Sequence, residues 1–150
     1  IARLPAEARE AVRGLTDAQL DAPYREGGWT LRQVLHHLAD SHLHAYARMK
    51  WALTEDAPVI KPYEQDRWAL LTDARMAPLE PSLRVLEGLH ERWAALMRTL
   101  AEAQWRREFT HPELPAGKNR LTLDWILQHY AWHGRHHVGQ ILHLRKERGW

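Results

Sequence analysis

The 150-residue chain contains no cysteine. Disulfides, thiolate metal sites and a cysteine nucleophile are thereby excluded, and any bound metal falls to histidine and carboxylate. No apolar run approaches the ~20 residues a membrane-spanning helix needs, and no signal peptide is visible. Charge of one sign is also lacking: 21 basic residues face 19 acidic ones, for a net charge of +2. The two signs are interspersed without a basic block, which argues against nucleic acid as a partner. There is no internal repeat and no low-complexity tract. A 45% apolar content over this length fits one domain spanning residues 1–150 with a real core. A cytoplasmic location is expected. The chain opens on Ile1 and not on methionine, so a further N-terminal piece is expected upstream.

What is present is helical periodicity. Pro5 to Arg13 reads as a helix that Gly14 stops. Thr16 to Gln19 forms a possible capping box for a short helix, and Thr30 to Gln33 forms a better one that opens a long helix ending before Pro58. Leu31, Val34, Leu35, Leu38, His42, Ala45, Tyr46, Met49 and Leu53 mark its stripe. Lys61 to Ala69 reads as loop plus a short helix. Pro81 or Ser82 starts the next long helix, with Leu83, Leu86, Leu89, Trp93, Leu96, Met97 and Leu100 inward. Trp105 to Arg120 reads as loop. Thr122 caps the last helix, which has Asp124 in its first turn and Gly149 after its end. Nothing reads as a strand hairpin. The fold class expected is all-α, a four-helix bundle with one or two short extra helices.

Two histidine clusters carry the chemistry. His129 to His137 holds four of the eleven histidines. Residues four apart on a helix have Cβ atoms ~6 Å apart, so His133 and His137 can hold one ion from one helix. On a helical wheel Leu123, Leu127, Tyr130, Val138, Ile141 and Leu142 form the apolar face. His137 lies at its edge and His133 just beside it, while His129, His136 and His143 turn toward solvent. A solvated stripe is the ordinary reading of a single histidine; an i,i+4 pair at an apolar margin favours metal. The second cluster, His36 to His42, offers a third ligand. His42 lies mid-stripe and His37 on a flank shared with Ser41 and His44. The wheel leaves both open, with His37 preferred, because a mid-stripe histidine is more often a hydrogen-bonded core residue. Asp40 is a candidate acceptor behind a ligand, and a solvated helix charge is an equal reading of it.

Other metal motifs do not fit. Gly134 follows His133, so there is no His-Glu-x-x-His protease motif. A di-iron bundle needs two helical Glu-x-x-His motifs; Glu87 to His90 supplies one, but Glu108 to His111 runs into Pro112. Of the eight tryptophans, Trp93 and Trp125 are placed near the core. Trp29, Trp68 and Trp132 are candidates to line a pocket, although packing is the default for all.

Gly27-Gly28-Trp29-Thr30-Leu31-Arg32-Gln33-Val34-Leu35-His36-His37-Leu38-Ala39-Asp40-Ser41-His42 resembles the first-histidine motif of the DinB superfamily, YfiT-like branch. Tyr130-Ala131-Trp132-His133-Gly134-Arg135-His136-His137 resembles its second motif. Pro23-Tyr24 and Ile60-Lys61-Pro62-Tyr63 add to the likeness, which extends over nearly the whole chain. The resemblance implies a four-helix bundle with one divalent metal held by His37, His133 and His137, and so selects His37 over His42. Zinc is the expected ion, with nickel, manganese or iron as alternatives. It further implies a thiol S-transferase that uses bacillithiol or a similar low-molecular-weight thiol against an electrophile, or a hydrolase that uses metal-activated water. Asp40, Tyr130 and His136 are the candidates to support the ligands or move protons. The expected partners are a small-molecule thiol and electrophile, with no nucleic acid and no membrane; a homodimer is left open. A non-catalytic metal- or ligand-binding bundle is the remaining alternative, and a structural zinc site would need a fourth protein ligand.

Overall fold

The computed structural model describes residues 1–150. In chain order its elements are α1 (Leu4–Val12), α2 (Asp17–Leu20), α3 (Leu31–Thr54), α4 (Gln65–Ala69), α5 (Thr72–Met76), α6 (Glu80–Arg98), α7 (Glu102–Trp105), β1 (Glu108–Thr110), β2 (Arg120–Thr122) and α8 (Leu123–Arg148). The bundle consists of α1, α3, α6 and α8. Four short helices accompany it, where the sequence predicts one or two. No helix is long and apolar enough to cross a membrane.

Local chemistry sets the ends of the long helices. Thr30 Oγ1 accepts from the Gln33 amide (3.2 Å) and Gln33 Oε1 accepts from the Thr30 amide (2.8 Å), a reciprocal cap for α3. Thr122 Oγ1 accepts from the Trp125 amide at the start of α8, and Gly149 ends it in the left-handed conformation at φ 67°.

The packing order differs from the chain order. α1 lies against α6 and α8, and α3 lies against the same two. Thus α1 faces α3 across one diagonal and α6 faces α8 across the other, so only the α3–α6 connection joins neighbours. The α6–α8 crossing contains a feature the sequence reading placed in a loop. β1 and β2 pair antiparallel, Phe109 opposite Leu121, and Val59 bridges to Thr110 from the α3–α4 connection. Three-residue strands give no periodicity to detect; their pairing is stabilised by Phe109, 1% exposed, under the end of the bundle.

The core falls into two apolar clusters. One joins α1 and α2 to the first turns of α3, to α6 and to the last turns of α8, through residues such as Leu35, Leu86 and Ile141. The other joins the last turns of α3 to β1 and the first turns of α8, through Met49, Trp93, Phe109 and Ile126. Between them each of three helices turns a histidine inward: His42 from α3, His90 from α6 and His133 from α8. Gly134 lies beside this layer because α1 presses on it. A Cβ there would meet Leu4 Cδ2 at 2.5 Å. Two expected core positions on α8 prove exposed, Leu142 at 50% and Trp125 at 37%. Trp125 instead stacks on His129.

Candidate metal centre

The α3 cap places His37 two turns into its helix, and α8 brings His133 and His137 to the same point. One ligand nitrogen from each of the three lies within 4.8 Å of the others, and the group stops at three. His37 Nε2 and His133 Nε2 are 3.2 Å apart. A tetrahedral ion with bonds of about 2.0–2.1 Å needs ligand nitrogens roughly 3.3–3.4 Å apart, so this edge already has the right length. Burial holds all three imidazoles below their ordinary range, His37 at about 3 and His133 lower still, with neighbouring histidines as the next cause for those two. Neutral imidazole is the form that donates a lone pair to a metal. The donor set therefore fits a divalent ion.

The second nitrogen of each ring is occupied elsewhere. His37 Nδ1 lies 3.3 Å from the Tyr63 hydroxyl, His133 Nδ1 lies 3.3 Å from His42 Nε2, and His137 Nδ1 donates to Gln140 Oε1 at 2.8 Å. For His133 the tautomer follows from the far end of a chain of rings. The Ile1 carbonyl can only accept, so His90 Nδ1–H donates to it (2.9 Å). Neutral His90 then accepts at Nε2 from His42 Nδ1–H (3.0 Å). His42 Nε2 accepts in turn from His133 Nδ1–H, which leaves the His133 Nε2 lone pair facing the shared point. Metal-bound histidines characteristically donate their other N–H in this way.

Of the candidates for such support, Asp40 is not brought to the site: it is no partner of the three imidazoles and does not line the cavity. Burial, then Asp73, raises its carboxyl to about 6. Tyr130 is buried beside His133, its ring centroid 5.5 Å away, and its hydroxyl accepts from Arg48. His136 is exposed and accepts from Gln140 Nε2 (3.1 Å), so it acts on His137 through Gln140. His42 is fully buried, yet it does more than pack, because both its nitrogens link other histidines. Tyr63, His90 and Gln140 were not picked out from sequence as supports of the ligands. Gln140 lies three residues after His137, a legible signal; Tyr63 and His90 stood out only in other motifs, because nothing in the chain pattern links their elements to the site.

The three rings open into a cavity of about 980 Å³. The loop before α3 forms one wall. Its tight turn requires Gly28, where a Cβ would meet the Arg25 side chain at 2.8 Å, and it sets the Trp29 ring 4.7 Å from His37. Trp132 lines the opposite rim, while Trp68 lies outside the cavity and packs on Tyr63.

The chain is similar to known proteins over its whole length. The DinB superfamily model matches residues 1–141. A Geobacillus thermodenitrificans protein named "Putative metal-dependent hydrolase" is 51% identical over 150 residues, 100% of this chain and 83% of that protein. The Bacillus subtilis protein named "Putative metal-dependent hydrolase YfiT" is 48% identical over 147 residues, 98% of this chain and 81% of its own. The solved structure of YfiT superposes with a TM-score of 0.95 at 47% identity, covering 99% of this chain and 83% of that one. It is described as "a probable metal-dependent hydrolase with an unusual four-helix bundle topology". With its family model, its close relatives and its fold in agreement, this chain belongs to the DinB superfamily.

Proposed function

We propose that the chain is a metal-dependent enzyme that holds one divalent ion, zinc in the first instance, on His37, His133 and His137, and that it transfers a small thiol to an electrophile. The observation that carries this reading is the convergence of one ring nitrogen from each of three histidines on a cavity, with each Nδ1 engaged by a neighbouring side chain and no fourth protein ligand. A closed structural zinc site would have that fourth ligand. A divalent ion held there by His37, His133 and His137 would supply Lewis-acid acidification of a thiol or water.

The chain's own residues do the rest. Its lack of cysteine means that the sulfur comes from a small molecule, in keeping with the resemblance to transferases that use bacillithiol. Trp29 and Trp132 offer flat apolar walls for the electrophile. The sulfur lone pair forms a carbon–sulfur bond as a carbon–halogen bond breaks and halide leaves with its electrons; the thiol proton passes to solvent. With an epoxide, the carbon–oxygen bond opens and the alkoxide takes a proton from water.

A second reading is hydrolysis, which the relatives' names favour. One experiment separates the two. Zinc-loaded protein is assayed with an alkyl halide and bacillithiol, glutathione or coenzyme A, and with ester and amide substrates lacking thiol. Thiol transfer that disappears with chelator and returns with zinc is expected. Thiol transfer unaffected by chelation would refute the metal's role, and metal-dependent hydrolysis alone would put the hydrolase in the transferase's place.

A further inference from the structure

Two arginines are deeply buried in this protein, and they differ in what neutralises them. Arg32, 4% exposed, has the carboxylates of Asp17 and Asp21 at 2.8 and 2.7 Å and also donates to the Ala77 carbonyl. Arg48 is 8% exposed and takes part in none of the chain's ion pairs. Its Nη1 donates to the Tyr130 hydroxyl and its Nη2 to the Lys61 carbonyl, both at 3.3 Å and both neutral. Its Nε is buried with no partner at all.

A guanidinium cannot lose its proton in a protein. Burying one without a counter-charge is costly, because desolvation is not offset. Arg48 lines the same cavity as the three imidazoles, on the α3 face that also presents His37 and Ser41. Tyr130, on which it rests, has its ring 5.5 Å from that of His133. On the same lining, His111 Nδ1 is the other buried polar atom without a partner. The carboxylates of the lining, Glu64, Asp66 and Glu113, are all on exposed residues at its rim. The lining also carries Arg25 and Arg67 on exposed residues, and none of these groups pairs with the buried cation.

We infer that Arg48 anchors a carboxylate carried by one of the two small molecules that react in this cavity. Arg48 Nε–H is free and each Nη keeps a second N–H beyond the one already given, so the guanidinium can still meet the two oxygens of a carboxylate in a forked pair. This inference rests on the reading of the cavity as the reaction site. The carboxylate belongs either to the thiol or to the electrophile, and both supply the same chemistry to Arg48.

The test uses matched acids and amides with zinc-loaded protein. In the first arm, calorimetry compares binding of 6-mercaptohexanoate with that of its primary amide. In the second, with 2-mercaptoethanol as thiol, kcat/KM for iodoacetate and iodoacetamide is compared after division by the uncatalysed rates. The acid should be favoured in one arm by about tenfold, the scale of one charge-assisted contact, and the arm that shows it names the carrier. Arg48→Gln should bring that ratio to about one at unchanged zinc stoichiometry. Arg48→Lys, which keeps the charge without the fork, should retain part of it and serves if the glutamine variant does not fold. Ratios of one in both arms of the parent protein would overturn the inference, as would a preference that survives Arg48→Gln. Binding preference without turnover would refute only the transferase reading, because the first arm needs no reaction.

Discussion

Of the three proposed ligands, His133 depends most on residues away from the shared point. Its orientation is fixed by His42, that of His42 by His90, and that of His90 by a backbone carbonyl. Substitution of His42 by leucine would leave a buried N–H on His133 and an unmet acceptor on His90. We expect zinc to remain at one per chain, its affinity to fall roughly 10–100-fold, and stability to fall by about 1–3 kcal/mol. Competition against a chromogenic chelator and urea unfolding read the two separately; unchanged affinity would show that the ring chain does not position the ligand. A second contrast compares neighbours on α8. His133→Ala should abolish both zinc binding and turnover while the helix stays folded. His136→Ala should cost far less, because it removes only the far support of Gln140. Equal losses of activity from the two changes would contradict the ligand assignment.

At the scale of elements, the close approach of α1 to α8 is set by Gly134. Alanine in an exposed helix position would gain roughly 1 kcal/mol over glycine. Here its Cβ meets the buried Leu4 side chain, and overpacking of that kind costs typically 1–3 kcal/mol. Gly134→Ala should therefore destabilise by about 1 kcal/mol in the parent protein and stabilise by a similar amount in a Leu4→Ala background. A double-mutant cycle in urea measures this sign change, and additivity of the two substitutions would rule out the contact. The helices themselves were legible because their signals are local: caps at Thr30 and Thr122, a stop at Gly149, and stripes at three- and four-residue spacing. The short strands and two of the four short helices, α5 and α7, were not. They are too brief for periodicity, and β1 and α5 are held by burial of Phe109 and Ala74 against the bundle.

For the molecule as a whole, the layer of imidazoles between two apolar clusters makes stability depend on pH. In zinc-free protein, burial holds His42, His90 and His133 below their ordinary value of 6.5. Above about pH 6.5 these rings are neutral both folded and unfolded, and their contribution is fully present. As pH falls through 6.5 the unfolded chain takes up protons that the folded chain refuses. Each such ring then costs about 1.4 kcal/mol per pH unit. Asp40 runs the other way: its raised carboxyl binds a proton on folding between 3.8 and about 6, which offsets roughly one ring. Chelated protein should therefore lose at least about 2 kcal/mol between pH 7.5 and 5.5 by urea unfolding; a flat or rising profile would count against a neutral buried layer. A zinc ion held by the proposed site would bind the folded chain alone, so adding it at pH 7.5 should raise Tm with concentration.

The sequence by itself determined the parts of this protein whose physics lies within a turn or two of chain. The helical class follows from stripe spacing and caps. The pairing of His133 with His137 follows from the helical repeat, and the lack of cysteine restricts the donors to nitrogen and oxygen. Tertiary structure decided what depends on elements far apart in the chain meeting. The helical wheel left both His37 and His42 open, because each lies on or beside the apolar stripe of α3. Only the packing of α6 and α8 on that helix engages both nitrogens of His42 and leaves His37 Nε2 beside His133. Arg48 shares the His37 flank at helical spacing, yet its burial without a counter-ion arises where α3, α8 and the segment at Lys61 converge. Hydrogen-bond satisfaction is a property of that convergence, and no one-dimensional pattern encodes it.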